Sequence, residues 1–407
     1  MTFQLNTRRL LSSVVLVAAL SSFALPALAL DPDDFATKFA AVASQGGAQM
    51  SFASIEPAGG AIVLKSMRFE APGQPAVELG DVTFNGVEEI EDGSYFVDQT
   101  GFDDIEFRSG PAKVSISDLE ISGLVIPAEA VFDTLDNILF YESFSTGKIN
   151  VEQDGADVFS MASLDLDVDR ADDDSRVAIE MTGSGIGIDL GQIDDAKAKQ
   201  ALADLGYTSL TGDLKLDAAW EVEPGTINLR EYSLTLDEVG RIAMSLHISG
   251  YTLDFIQAMQ EAQTGAASSP DSQATQQAMG FAMMGMLQQL SFNSASIRFD
   301  DASVTEKALS YAGKQQGISG EQMRQSVKFM LPLMLGQLGI PALQQQISEA
   351  ASVYLDNPQN LTISARPASP VAVPMIMGAG MGNPKSLVDL LNVQVTANDP
   401  VEFCCKE

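Results

Sequence analysis

Residues 76–86 read Ala-Val-Glu-Leu-Gly-Asp-Val-Thr-Phe-Asn-Gly, and residues 113–123 read Lys-Val-Ser-Ile-Ser-Asp-Leu-Glu-Ile-Ser-Gly. Both fit one template: Val, any residue, Leu or Ile, a small residue, Asp, apolar, polar, apolar, polar, Gly. Apolar–polar alternation marks a half-buried strand. The parity slips inside each copy. Val77 and Leu79 share a face, but Val82 and Phe84 sit an odd step away. A bulge or bend at Gly80-Asp81 and at Ser117-Asp118 would restore a common face, and such bends curl a sheet. Looser relatives recur at Leu210 to Asp217, Glu231 to Asp237 and Ala295 to Val304. The fold class expected is α+β and mainly antiparallel β. It would be a curved sheet or β-trough of repeated strand units, with a Met-rich helical C-terminal part.

The first residues read as a secretory signal. Arg8 and Arg9 form a basic start, Leu10 to Leu25 is apolar, and Ala27-Leu28-Ala29 follows Pro26 as a cleavage signal. No Cys stands directly after that site, so lipoprotein anchoring is not expected. Thr7-Arg8-Arg9-Leu10-Leu11 partly matches a twin-arginine signal, and an ordinary export signal fits as well. The expected organisation is a signal peptide at 1–29, a β-rich domain at 30–250 and a mixed, helical region with a few strands at 251–407. No later apolar run has the length of a spanning helix.

The whole chain carries a formal net charge of −32. Removing the segment with Arg8 and Arg9 would leave −34, because it holds no acid. That charge repels phosphate backbones and argues against a nucleic-acid partner. It also repels an anionic membrane, so contact with lipid would have to be apolar. The two cysteines, Cys404 and Cys405, are adjacent at the end of the chain. The fold is therefore not a disulfide scaffold. The pair reads as a frayed tail, with intermolecular pairing as the alternative.

Several elements can be placed. Asp31 to Met50 should be a helix with Asp31 as cap, Pro32 at its first position and Phe35, Phe39 and Val42 on one face. Pro127 to Phe140 reads as a short helix. Asp194 to Leu205 reads as another, ended by Gly206. Thr264 to Ser272 is the best linker candidate. Helices are expected at Asp254 to Gln263, Gln273 to Leu290, Val304 to Lys314, Glu321 to Leu338, Pro341 to Leu355 and Ser386 to Leu391, with Pro332 kinking or dividing the fourth. Leu361 to Ala365 reads as a strand, as does the stretch through Val393 and Val395.

Catalysis is hard to assemble. The one histidine, His247, falls on the polar side of an alternating stretch. Without a second His or an earlier Cys, neither Ser-His nor Cys-His chemistry nor a His-based zinc site has enough parts. Asp165, Asp167 and Asp169 invite a calcium-loop reading, but Arg170 stands where Gly is needed and Arg176 where a bidentate Glu is needed. They read better as the solvated face of a strand. Gly183-Ser184-Gly185-Ile186-Gly187 meets neither phosphate-loop spacing and reads as a strand edge. No metal or cofactor is expected, and a carboxylate hydrolase stays as a minor alternative.

Met-rich helices are the feature that can exceed scaffold. Met279, Met283 and Met286 lie in one, and Phe329, Met330 and Met334 in another; Met375, Met377 and Met381 add a third cluster. Met adapts to irregular partners, including acyl chains. The first six form the candidate apolar pocket, and a plain buried helical layer is the competing reading.

The units Val77 to Gly86 and Val114 to Gly123, behind a signal segment, resemble those of AsmA-like and related bridge-like β-rich envelope proteins of Gram-negative bacteria. The resemblance covers at most residues 60–300. It implies a periplasmic trough whose apolar interior handles lipid, and it brings no catalytic residues. The chain is short for a bridge between membranes, and its last third is largely helical. The expectation is a periplasmic, non-enzymatic protein that binds a lipid or other apolar envelope component, or supports envelope assembly. The alternative is a structural protein presenting an acidic β surface to a protein partner.

Overall fold

A computed structural model describes residues 30–44, 48–71, 76–131, 134–259, 284–336 and 339–400. Helix α1 (Pro32–Ala43) starts as its sequence dictates. The Asp31 carboxylate accepts from the amides of Asp33 and Asp34, and Pro32 occupies the first position. Next come β1 (Gln49–Ser51), β2 (Ser54–Ala58), β3 (Ala61–Glu70), β4 (Val77–Glu89) and β5 (Tyr95–Phe102). Then follow β6 (Ile105–Ser109), β7 (Ala112–Ile116), β8 (Glu120–Ile126), β9 (Ser143–Thr146) and β10 (Ile149–Gln153). β11 (Ala156–Met161), β12 (Ser163–Arg170) and β13 (Arg176–Asp189) precede helix α2 (Ala196–Asp204). β14 (Ser209–Glu221), β15 (Thr226–Leu236), β16 (Gly240–Ser249) and β17 (Ser291–Asp301) lead to helices α3 (Val304–Gln315), α4 (Gly320–Leu335) and α5 (Pro341–Asp356). The chain closes with β18 (Asn360–Ala365), β19 (Val371–Ala372), α6 (Val373–Gly382), α7 (Ser386–Leu390) and β20 (Val393–Ala397).

These strands form one large, curved, unclosed antiparallel sheet. Its backbone path runs β3, β4, β5, β8, β9, β12, β13, β14, β15, β16, β17, β18, β20. β1 and β2 pair with β3 at one end, and β20 pairs with β18 at the other. The sheet crosses residue 250 without a break, because β16 pairs with β17 along its length. The change of composition there marks helices inserted between neighbouring strands.

A seam crosses the N-terminal half. β5 and β6, β7 and β8, β9 and β10, and β11 and β12 are long strands broken at corresponding points, so β13 pairs with β12 over its first half and touches β11 beyond. The template's Asp belongs to this seam. Gly80 has φ +72° and Asp118 φ +51°, so the chain bulges at both expected steps. A bulge leaves an amide without its ladder partner, and a carboxylate replaces it. Asp81 accepts from the amide of Ser66 at 3.0 Å, Asp103 from the amide of Asp81 at 3.3 Å, and Asp213 from the amide of Gly185 at 3.0 Å. The bulge brings Val77 and Leu79 to the face that holds Val82 and Phe84. The template's closing Gly has a steric reason. Gly86 has φ +63°, and a Cβ there would meet the Asp98 side chain.

The main core lies where α1 covers one end of the sheet. Phe35 packs edge-on against Phe84 and Tyr95, with ring centroids 5.0 and 5.3 Å away. Ile62, Leu64, Val82, Val97, Leu124 and Ile126 complete the floor. A second, smaller core sets Leu309, Met323, Tyr354 and Leu355 of α3–α5 against Phe299, Leu361 and Ala397.

Asp34 ties α1 to the sheet by accepting from Lys38 Nζ at 2.6 Å and from the Tyr95 hydroxyl at 2.8 Å. These bonds, that from Lys38 first, hold its carboxyl below the usual range. A lowered folded value stabilises the fold above the unfolded-chain value of about 3.9, and the effect is lost as pH falls through the folded value. Urea midpoints measured from neutral to strongly acidic pH should therefore show the advantage of wild type over Asp34→Asn shrinking below about pH 4. A difference that does not change with pH contradicts this role.

Four expectations need correction. The helix expected from Asp31 to Met50 ends at Ala43, and Gln49 and Met50 belong to β1. Pro127 to Phe140 does not form an α-helix; of its described residues only Leu135–Asn137 make a single 3-10 turn, and Phe140 bridges to Val125 instead. α4 passes through Pro332 undivided. Proline costs one hydrogen bond to the preceding turn, and here that loss falls near an exposed helix end. Gly183 to Gly187 is no edge, since β13 is paired on both sides and bulges between Gly183 and Ile186. Asp165, Asp167 and Asp169 do form the exposed face of a strand, β12. The linker candidate at 264–272 and Cys404 and Cys405 lie outside the described residues.

Candidate functional site

Cross-strand partners point to the same face of a sheet. Following the pairs from strand to strand traces one line of side chains across it. The line runs Ile62, Phe84, Thr100, Ile121, Phe144, Leu166, Met181 over the N-terminal half. It continues Leu216, Tyr232, Met244, Ile297, Ile363, Val395 to the last strand. Thr100 and Tyr232 carry its only hydroxyl groups. The repeated strand units thus give the sheet one continuous apolar face.

That face has three zones. At the N-terminal end α1 roofs it incompletely and leaves a cavity of about 480 Å³, a volume typical of small-ligand sites. Phe39, Met50, Phe69, Leu79, Phe102 and Tyr141 are among its walls. Thr100 also lines it, 1% exposed, and its hydroxyl has no hydrogen-bond partner. At the far end α3–α5 cover Phe299, Leu361 and Ala397.

Between these ends the apolar face is open among the described residues. Ile242 is 45% exposed, and Ile297 and Ile363 are each 48% exposed. Tyr232, Met244 and Leu246 are exposed with them. Ser245, His247, Ser296, Thr362 and Ser364, which alternate with them and point the other way, are only half-exposed. This inverts the usual relation between polarity and burial. Part of the polar face pairs with itself: the Ser245 and Ser296 hydroxyls lie 2.7 Å apart, and Arg241 bridges Glu231 at 2.7 Å and Asp300 at 3.3 Å, whereas the buried Thr362 hydroxyl has no partner. Burial works against the Glu231 carboxylate, but bonds from Ser233 and Arg241 outweigh it and hold its pKa below the ordinary value.

Four of the six residues expected to form a pocket fall within the described residues. Met279 and Met283 lie outside the described residues. Met286 is buried. Phe329, Met330 and Met334 are exposed on α4, because that helix turns Met323 and Val327 to the core instead. Met286, Phe329, Met330 and Met334 do not line the 480 Å³ cavity at the other end of the sheet. The residues missed were those of β15–β18. Their alternation is visible, but nothing in a single strand says that its apolar side stays uncovered.

A family model described as "Uncharacterized protein" matches residues 233–398. No curated protein matches the chain. The matched span runs from within β15 to just past β20, so it holds much of the open zone and the helices beside it.

The unpaired Thr100 hydroxyl allows a direct test of the apolar environment. Thr100→Val keeps the shape and removes an unpaired buried polar atom, whose desolvation costs about 1–3 kcal/mol. The variant should be more stable than wild type by about 1 kcal/mol in urea unfolding. A loss of stability would mean that the hydroxyl has a partner.

Proposed function

We propose that this protein is a non-enzymatic, periplasmic lipid-binding protein. It holds the acyl part of a lipid, or another apolar envelope component, along the apolar face of its sheet. The observation that carries the reading is the inverted exposure of β16–β18, where Ile242, Met244, Ile297 and Ile363 are more exposed than the hydroxyl-bearing residues between them. A folded sheet leaves a contiguous apolar surface open at a cost, and such surfaces mark binding sites. The cavity beside α1 extends the same face and offers a deeper seat for one end of a chain. The side chains supply apolar contact and no chemistry, and the signal-like segment at 1–29 supports the compartment.

The test is native mass spectrometry of protein purified gently from its own envelope, with solvent extraction of bound material. A discrete added mass that extracts as lipid is the expected result. A bare mass that persists after incubation with envelope lipids overturns the reading.

A further inference from the structure

Helix α4 is used in two halves. In its first half Met323 is buried and Val327 packs with it over the apolar face at Phe299 and Leu361. One side of its last two turns is open, with Phe329 76%, Leu333 67% and Met334 65% exposed. α6 ends in the same way, with Met381 80% exposed. Lys385, just beyond α6, places its Nζ so close to Gly339, just beyond α4, that a Cβ there would lie 2.5 Å from it. The two apolar helix ends therefore share one corner of the molecule. The sequence around them is unusual. In a chain with 19% charged residues, no charged side chain occurs from Phe329 to Ser348 or from Pro367 to Pro384.

We propose that this corner docks on a lipid bilayer, inserting the ends of α4 and α6 into its interfacial region. Large apolar side chains on projecting helix ends suit the boundary between headgroups and acyl chains, and the Lys385 ammonium beside them suits the headgroup level. A protein-binding groove would be concave, and a protein interface sets a polar rim around its apolar centre. The overall charge of −32 restricts the kind of contact. An acidic protein is repelled by anionic lipid, so its contact with a membrane has to be apolar and insensitive to salt. No described helix is long and apolar enough to cross a membrane, so the contact is peripheral. Because α4 is also packed on the apolar face of the sheet, docking would bring one end of that face to the bilayer. The proposal goes beyond the ligand reading and does not depend on it.

The experiment is flotation of the purified protein with phosphatidylcholine vesicles, at low and at high salt. Wild type should float under both conditions. Leu333→Asp and Met381→Asp, at sites too exposed to matter for folding, should each lower the bound fraction about tenfold or more, with unchanged melting temperature. Met334→Trp should give a blue-shifted emission when vesicles are added. The proposal is overturned if wild type stays unbound, if salt abolishes flotation, or if the Asp variants float like wild type. It is also overturned if light scattering shows a dimer that Leu333→Asp dissociates, since a second copy would then own the corner.

Discussion

Met244→Asp and Ile297→Asp, each made alone, should reduce lipid retention about a hundredfold or more while leaving the melting temperature almost unchanged. Both residues lie in the open zone and pair with each other across β16 and β17. In the unliganded protein the new carboxylate stays in water, so folding is little affected. Seating an acyl chain over it strips that water without supplying a partner. Such desolvation costs several kcal/mol per ion, and each 1.4 kcal/mol is a factor of ten in affinity. Ser245→Asp is the matched control, one residue along β16 and on the opposite face, and it should retain lipid as wild type does. The comparison is the amount of lipid extracted per mole of folded protein. Equal amounts from Met244→Asp and Ser245→Asp would remove the open face from the account.

The second large effect concerns the fold. Phe35→Ala should lower stability by about 3–5 kcal/mol, the usual cost of emptying a buried phenylalanine site. Phe35 is fully buried and lies at the centre of an aromatic group formed with Phe39, Phe84 and Tyr95. The residues around it belong to β3, β4, β5, β8 and α1, so collapse around the hole would require several strands to move together. The urea midpoint should fall accordingly, and it should fall far more than for Phe329→Ala, whose side chain is exposed. A change below about 1 kcal/mol would mean that α1 is not a structural lid.

Local backbone signals are partly legible in the sequence. The slip in parity between Leu79 and Val82 needs a bulge, and the left-handed Gly80 supplies it. Asp31 and Pro32 announce the start of α1, and Gly206, at φ +88°, sits just past α2. Partners distant in the chain were not legible. The template's Asp81 bonds an amide on β3, and Asp213 bonds one on β13, so their purpose appears only when the strands lie side by side. The apolar face is the same kind of fact. Ile242, Ile297 and Ile363 each look like ordinary inward residues of a half-buried strand. Only the register joins them, and only the placement of α3–α5 over Phe299 and Leu361 shows what remains open. Composition marked Phe329 and Met334 as helical and apolar but could not say which way they face.

The most direct measurement is photo-crosslinking from single positions on neighbouring residues of β16 and β17. A photoreactive amino acid is placed in turn at positions 244, 245, 296 and 297, and the protein is irradiated in cells before purification. Lipid adducts are expected from positions 244 and 297 and none from 245 and 296, because the strands alternate faces. Adducts from all four positions, or protein adducts alone from 244 and 297, would contradict a lipid seated on the apolar face.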